Sequence, residues 1–166
     1  MLQHMKEPEY RYIDALCVVG KRASMSLQDD KTPVLWRSFM PLRHAIAGRL
    51  DTNVYNIQRY PVPIHQLGPE TIFEKWAGVV VADDATVLPD GLESLTIPAG
   101  EYMVFLHRGG PATFAETAAY IYGQWIPASE YTCDERPHFE RMEESWNALD
   151  PDAEEEVWIP VRRKTR

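Results

Sequence analysis

The chain has 166 residues, 45% of them apolar and 25% charged, which suits one packed domain and excludes a globally disordered chain. A net charge of −8 argues against a large phosphate-binding face, so direct nucleic-acid binding is not expected, while attraction of cations is compatible with it. No apolar run approaches a membrane span and the first residues lack the apolar centre of a signal peptide, so a cytoplasmic protein with no membrane partner is expected.

Residues 10–27 read as extended, with Ala15 to Val19 suited to a central strand that Gly20, Lys21 and Arg22 end or bend. Thr32 is the expected N-cap of a helix with Pro33 in its first turn. Leu35, Phe39, Leu42 and Ile46 form the helical stripe, Pro41 should kink or restart it, and Gly48 should stop it. Strands follow at Asn53 to Tyr60 and Phe73 to Ala82, joined by a proline-rich loop. Asp83 to Gly91 reads as a linker.

After the linker the pattern restarts. Residues 92–98 and 101–107 read as strands, and Thr113 with Glu116 has capping-box spacing at the start of a second helix. That helix carries Phe114, Ala118, Ile121 and Trp125 on its apolar side. Strands at Pro137 to Met142 and Glu156 to Arg162 complete the chain, and its basic end reads as solvated or as a contact for an acidic partner. The order strand, helix, strand, strand occurs twice, as repeats of about 10–83 and 91–163 within a single domain of residues 1–166. Cys17 is matched with Met103, Gln58 with Glu140, and Ala77 with Val157. The expected fold is α+β: a duplicated β-α-β-β unit with pseudo-twofold symmetry, an antiparallel sheet with helices on one face, and a ligand groove between the repeats on the other.

Alternation puts His138, Glu140 and Met142 on one face of their strand and Phe139 on the other. If Val157, Ile159 and Val161 face the core, Glu156 and Trp158 join Glu140 on the open side, and Trp76 faces the same groove. Tyr122 and Trp125, at the helix end, reach toward it. A carboxylate among aromatic walls suits a flat, cationic or amphiphilic small molecule, through cation–π attraction and opposite charge. The competing reading has the tryptophans filling gaps and Glu140 paired with Arg59 or Arg141. Two distant cysteines and five scattered histidines give no metal or disulfide spacing, and no cofactor motif is present, so neither metal nor cofactor is expected.

The segments Thr96 to Tyr102, Ile121 to Ser129, Pro137 to Met142 and Glu156 to Val161 together resemble the GyrI-like small-molecule-binding domain, also called the effector-binding domain of bacterial AraC- and MerR-type transcription activators. The first half matches it in layout. The resemblance implies a duplicated fold with a groove between the repeats, Glu140 as the acid that meets cationic drugs or dyes, and Trp125 and Trp158 as pocket walls. Where the family pattern often has Tyr after Glu-Arg, this chain has Met142. With no room for a helix-turn-helix before residue 10, a stand-alone member is expected. The alternatives are a hydrolase of reactive electrophiles with Glu140 as general base, or a protein that binds gyrase or a regulator.

Overall fold

Nine antiparallel strands and two main helices build the chain in the computed structural model, which describes residues 5–83 and 87–165. Part of the expected linker (residues 84–86), His4 and the last residue of the basic tail lie outside the described residues. The strands are β1 (Glu9–Ile13), β2 (Leu16–Met25), β3 (Asn53–Arg59), β4 (Phe73–Val81), β5 (Glu93–Ile97), β6 (Gly100–Arg108), β7 (Tyr131–Cys133), β8 (His138–Glu143) and β9 (Glu154–Arg163). The helices are α1 (Thr32–Phe39) and α2 (Pro111–Tyr120).

Local chemistry shifts several expected boundaries. Lys31, not Thr32, occupies the N-cap of α1, and Gly110, not Thr113, occupies that of α2; neither cap makes a side-chain hydrogen bond. The hydroxyl of Thr32 is instead engaged by Lys75, whose Nζ donates to Oγ1 at 2.7 Å. At Pro41 the chain tightens into a 3₁₀ segment, Met40–Ala45, as expected where the proline removes an α-type hydrogen bond. β2 does not end at Gly20. It continues to Met25, because Gly20 lies opposite Gly78 on β4, where a Cβ would come within 2.1 Å of the Ala77 carbonyl oxygen. α2 passes into a π-helical segment, Ile121–Trp125, and a closing turn, Ile126–Ala128.

The strand order is β1-β6-β9-β8-β3-β4-β2-β5, with β7 added on β9. β2 is therefore next to an edge rather than central. β9 is shared along its length: β8 covers it up to Trp158 and β7 from Val161, so Pro160 sits in the gap where its missing N–H is not needed on that side.

The register is symmetric about the central β3–β8 pair. Gln58 and Glu140 are 82 residues apart, and the same interval relates the other pairings. Ile57 pairs with Trp76 as Phe139 pairs with Trp158, and Val18 pairs with Leu95 as Gly100 pairs with Ile13. Two expected matches slip under this register. Met103 corresponds to Lys21 rather than Cys17, and Val157 to Lys75 rather than Ala77. Both slips are even-numbered, and alternation alone cannot detect a slip that keeps each side chain on its face.

Both helices pack on one face. Leu35 and Phe39 of α1 cluster with Val19, Ala77 and Val79, and Ile121 and Ile126 cluster with Phe105, Val157 and Ile159. The opposite face carries a third cluster made only of strand residues, among them Tyr55, Ile57, Trp76, Tyr102, Phe139 and Trp158. Rings so deeply buried on a face without a helix require the sheet to curl around them.

Candidate functional site

Cross-strand pairing decides which residues share a face. Glu140 lies directly opposite Asn56 of β3 and Val157 of β9, while Phe139 lies opposite Trp158. The Glu140 carboxylate therefore rises from the helix-bearing face, in the gap between α1 and α2. This corrects the expectation of a groove on the other side. Trp76, Trp158 and Glu156 do not share the face of Glu140. The Trp158 ring stacks on Phe139 at 5.2 Å and the Glu156 carboxylate pairs with Arg141 at 2.7 Å, both on the opposite face. Both faces of the sheet are buried, so an apolar set such as Val157, Ile159 and Val161 does not identify which side is open.

His138, Tyr122 and Trp125 do lie on the helix-bearing side. Trp125 packs edge-on against Phe105 at 5.3 Å. The Tyr122 hydroxyl is hydrogen-bonded to His138 Nδ1 at 2.9 Å, and the Tyr60 ring meets the same imidazole edge-on at 5.1 Å. Burial, with the nearby Arg136 charge, pushes His138 down to about 3, so the ring is neutral at ordinary pH.

Glu140 is 8% exposed. Asn56 Nδ2 and Gln58 Nε2 donate to its Oε1 at 2.7 and 2.9 Å, and Oε2 receives no hydrogen bond from the described residues. Asn56 is itself fixed from above: its Oδ1 accepts from Trp36 Nε1 of α1 at 3.1 Å. Burial raises the Glu140 carboxyl above the usual range, against the opposing pull of Gln58, Lys75 and Asn56. Its charge in turn adds to the burial that raises the Tyr60 and Tyr122 phenols.

A second acid stands on the same face. Glu155 of β9, opposite His107 of β6, is 8% exposed and makes no ion pair or hydrogen bond among the described residues. Burial, then the Glu140 charge, pushes its carboxyl up to about 8, with Lys75 opposing. Lys75 lies beside Gln58 in the β3–β4 register. The described site thus holds two buried acids and one cation of its own, with Trp36 of α1 and Tyr122 of the π-helical segment as aromatic neighbours.

Asn56, Tyr60, Lys75 and Glu155 were not anticipated. The signal for them was present as polar residues in otherwise apolar alternations: Lys75 between Phe73 and Ala77, and Glu155 before Val157, Ile159 and Val161. No group of His, Cys, Asp and Glu among the described residues is arranged to hold a metal ion, and no helix among them is long and apolar enough to cross a membrane.

Comparison with known proteins places this geometry. The family model described as the GyrI-like small molecule binding domain matches residues 6–162. The transcriptional regulator BrlR of Pseudomonas aeruginosa is 30% identical over 148 residues, which cover 89% of this chain and 52% of that protein. The chain thus spans about half the length of this relative. Among solved structures, SAV2435 bound to tetraphenylphosphonium superposes with a TM-score of 0.71 at 14% identity, over 95% of this chain and 94% of that one. The EcmrR C-terminal domain gives 0.71 at 14% identity, over 97% and 99%. At these identities the two structures establish a shared fold.

Proposed function

The chain belongs to the GyrI-like small-molecule-binding family, and from that premise we propose that it binds a lipophilic organic cation on Glu140, in the gap between α1 and α2. The observation that carries this reading is a buried carboxylate held by two amides on one oxygen, with no hydrogen bond to its other oxygen from the described residues. An acid in that state lacks an adequate counter-charge, and a cation that excludes water there gains far more than it would at the surface. Glu155 adds a second acid, and the rings of Trp36, Tyr60 and Tyr122 offer faces for cation–π contact. The tetraphenylphosphonium in the SAV2435 structure is a ligand of this chemical kind. The cytoplasmic setting expected from the sequence is part of the same proposal.

The test is a titration with tetraphenylphosphonium, followed by calorimetry and by tryptophan fluorescence. Glu140→Gln keeps an oxygen for Asn56 and Gln58 to donate to, so the fold should persist while affinity falls by about tenfold or more, on the order of 1.4 kcal/mol. Because the Glu140 carboxyl is raised by burial, wild-type affinity should climb as pH rises and the acid gives up its proton. Equal affinity of Glu140→Gln and wild type would refute the charge role.

A further inference from the structure

A cavity of about 890 Å³ lies beside the acidic gap without including Glu140. Its apolar lining includes Val62 and Ile64 of the proline-rich segment after β3 and Ile126 and Pro127 after the π-helical segment. It is also lined by Tyr60, Tyr122 and His138. Tyr60 and Tyr122 lie within reach of the Glu140 charge, and His138 is two residues from Glu140 on the same strand. Among the described residues, one side-chain hydrogen bond links these rings, between the Tyr122 hydroxyl and His138 Nδ1. Tyr122 sits in the π-helical segment Ile121–Trp125, and the next residue, Gly123, has open space where a Cβ would stand. Such π segments carry looser backbone bonding and recur at functional sites.

The lining also carries charges of both signs, Arg136, Arg162 and Lys164 with Asp134 and Glu135, and most are already engaged. Arg136 pairs with Asp134 at 2.8 Å, Arg162 approaches Asp134 at 3.7 Å, and Lys164 donates to the Pro127 carbonyl at 2.8 Å. The cavity therefore offers apolar area but no buried anion of its own. Glu140 and Glu155 are not among its lining residues.

We propose that this cavity is the outer chamber of the ligand site, and that the site takes an elongated amphiphile with a cationic head and an alkyl or aryl tail. The head passes the rings of Tyr60, Tyr122 and His138 to reach Glu140. The tail stays against Val62, Ile64 and Pro127. The volume falls in the range of chambers that hold drug-sized molecules. This inference rests on the reading of Glu140 as the charge partner and adds a tail site to it.

The experiment compares phenyltrimethylammonium, a head with almost no tail, with decyltrimethylammonium below its micelle concentration, by calorimetry on the full chain. The longer tail should bind more tightly by about tenfold or more, as expected for several buried methylenes. Val62→Trp and Ile64→Trp, at partly exposed positions where folding should persist, fill the chamber. Each should weaken the long-tailed cation several-fold and leave phenyltrimethylammonium unchanged. Glu140→Gln should weaken both probes alike. Equal affinity for the two probes, or chamber variants that bind decyltrimethylammonium like wild type while Glu140→Gln still loses both, overturns the chamber and spares the charge site. Unchanged binding of both probes in Glu140→Gln overturns the charge site itself, and with it the head-inward orientation.

Discussion

The two halves of the sheet agree on one face and diverge on the other. On the curled face, Arg59, Glu74 and Trp76 repeat as Arg141, Glu156 and Trp158. Trp76 Nε1 donates to Glu74 at 2.6 Å and Trp158 Nε1 donates to Glu156 at 3.1 Å. Arg59 pairs with Glu74 at 2.9 Å and Arg141 with Glu156 at 2.7 Å. Under the helices the same register sets Gln58 against Glu140, Phe73 against Glu155, Lys75 against Val157 and Tyr60 against Met142. A symmetric frame thus carries an asymmetric charge site. Had both counterparts at the centre been acids, two carboxylates would face each other across the β3–β8 pair. Instead an amide meets an acid and donates to it.

The likeness of the curled face is the easiest part of this comparison to break. Trp76→Ala and Trp158→Ala should each cost about 3–5 kcal/mol in guanidinium unfolding, because each removes a fully packed ring. If one were nearly neutral, the two environments would not be equivalent. A smaller effect should appear on the divergent face. Glu155 is pushed up to about 8, from an ordinary 4.5, so between those values the folded protein holds a proton that the unfolded chain has released. His138, held at about 3 against an ordinary 6.5, acts with the opposite sign below 6.5, so stability should fall with rising pH between 6.5 and about 8, by at most roughly 1.4 kcal/mol per pH unit from Glu155. Glu155→Gln should flatten the fall without abolishing it, since Glu140 is raised in the same direction. An unaltered slope of unfolding midpoint against pH would assign it elsewhere. The smallest effects belong to the surface arginines. Arg59→Ala should cost well under about 1 kcal/mol. Arg141→Ala should cost more than Arg59→Ala, because Arg141 is less exposed, 33% against 51%, and its guanidinium also lies 5.6 Å from the centre of the Trp158 ring.

The elements themselves were legible in the sequence. The strands expected at Phe73 to Ala82 and Glu156 to Arg162 and the helix on the Leu35 and Phe39 stripe correspond to β4, β9 and α1, with β9 starting two residues earlier, at Glu154. Glu140, His138 and Tyr122 were legible as polar groups on one strand face and a nearby helix end. The choice of face was not. A sheet buried on both sides has two apolar sets per strand, and only the register of β8 on β9, a long-range fact, says that Trp158 goes with Phe139 and Val157 with Glu140. The cap of α1 was not legible because its reason is a long-range contact. At Thr32 a lysine from β4 occupies the hydroxyl that capping would have used.

The placement of the first strand of each half has a mechanical consequence. β1 pairs with β6 of the second half, and β5 pairs with β2 of the first, so each half lends a strand to the other's outer margin. Pulling the halves apart would strip both margins at once as well as the central seam between β3 and β8. Unfolding should accordingly run as one event rather than half by half. A fragment holding only residues 5–83 would display an unclaimed β2 margin together with a loose β1, and would have to borrow its closure from a second copy of itself.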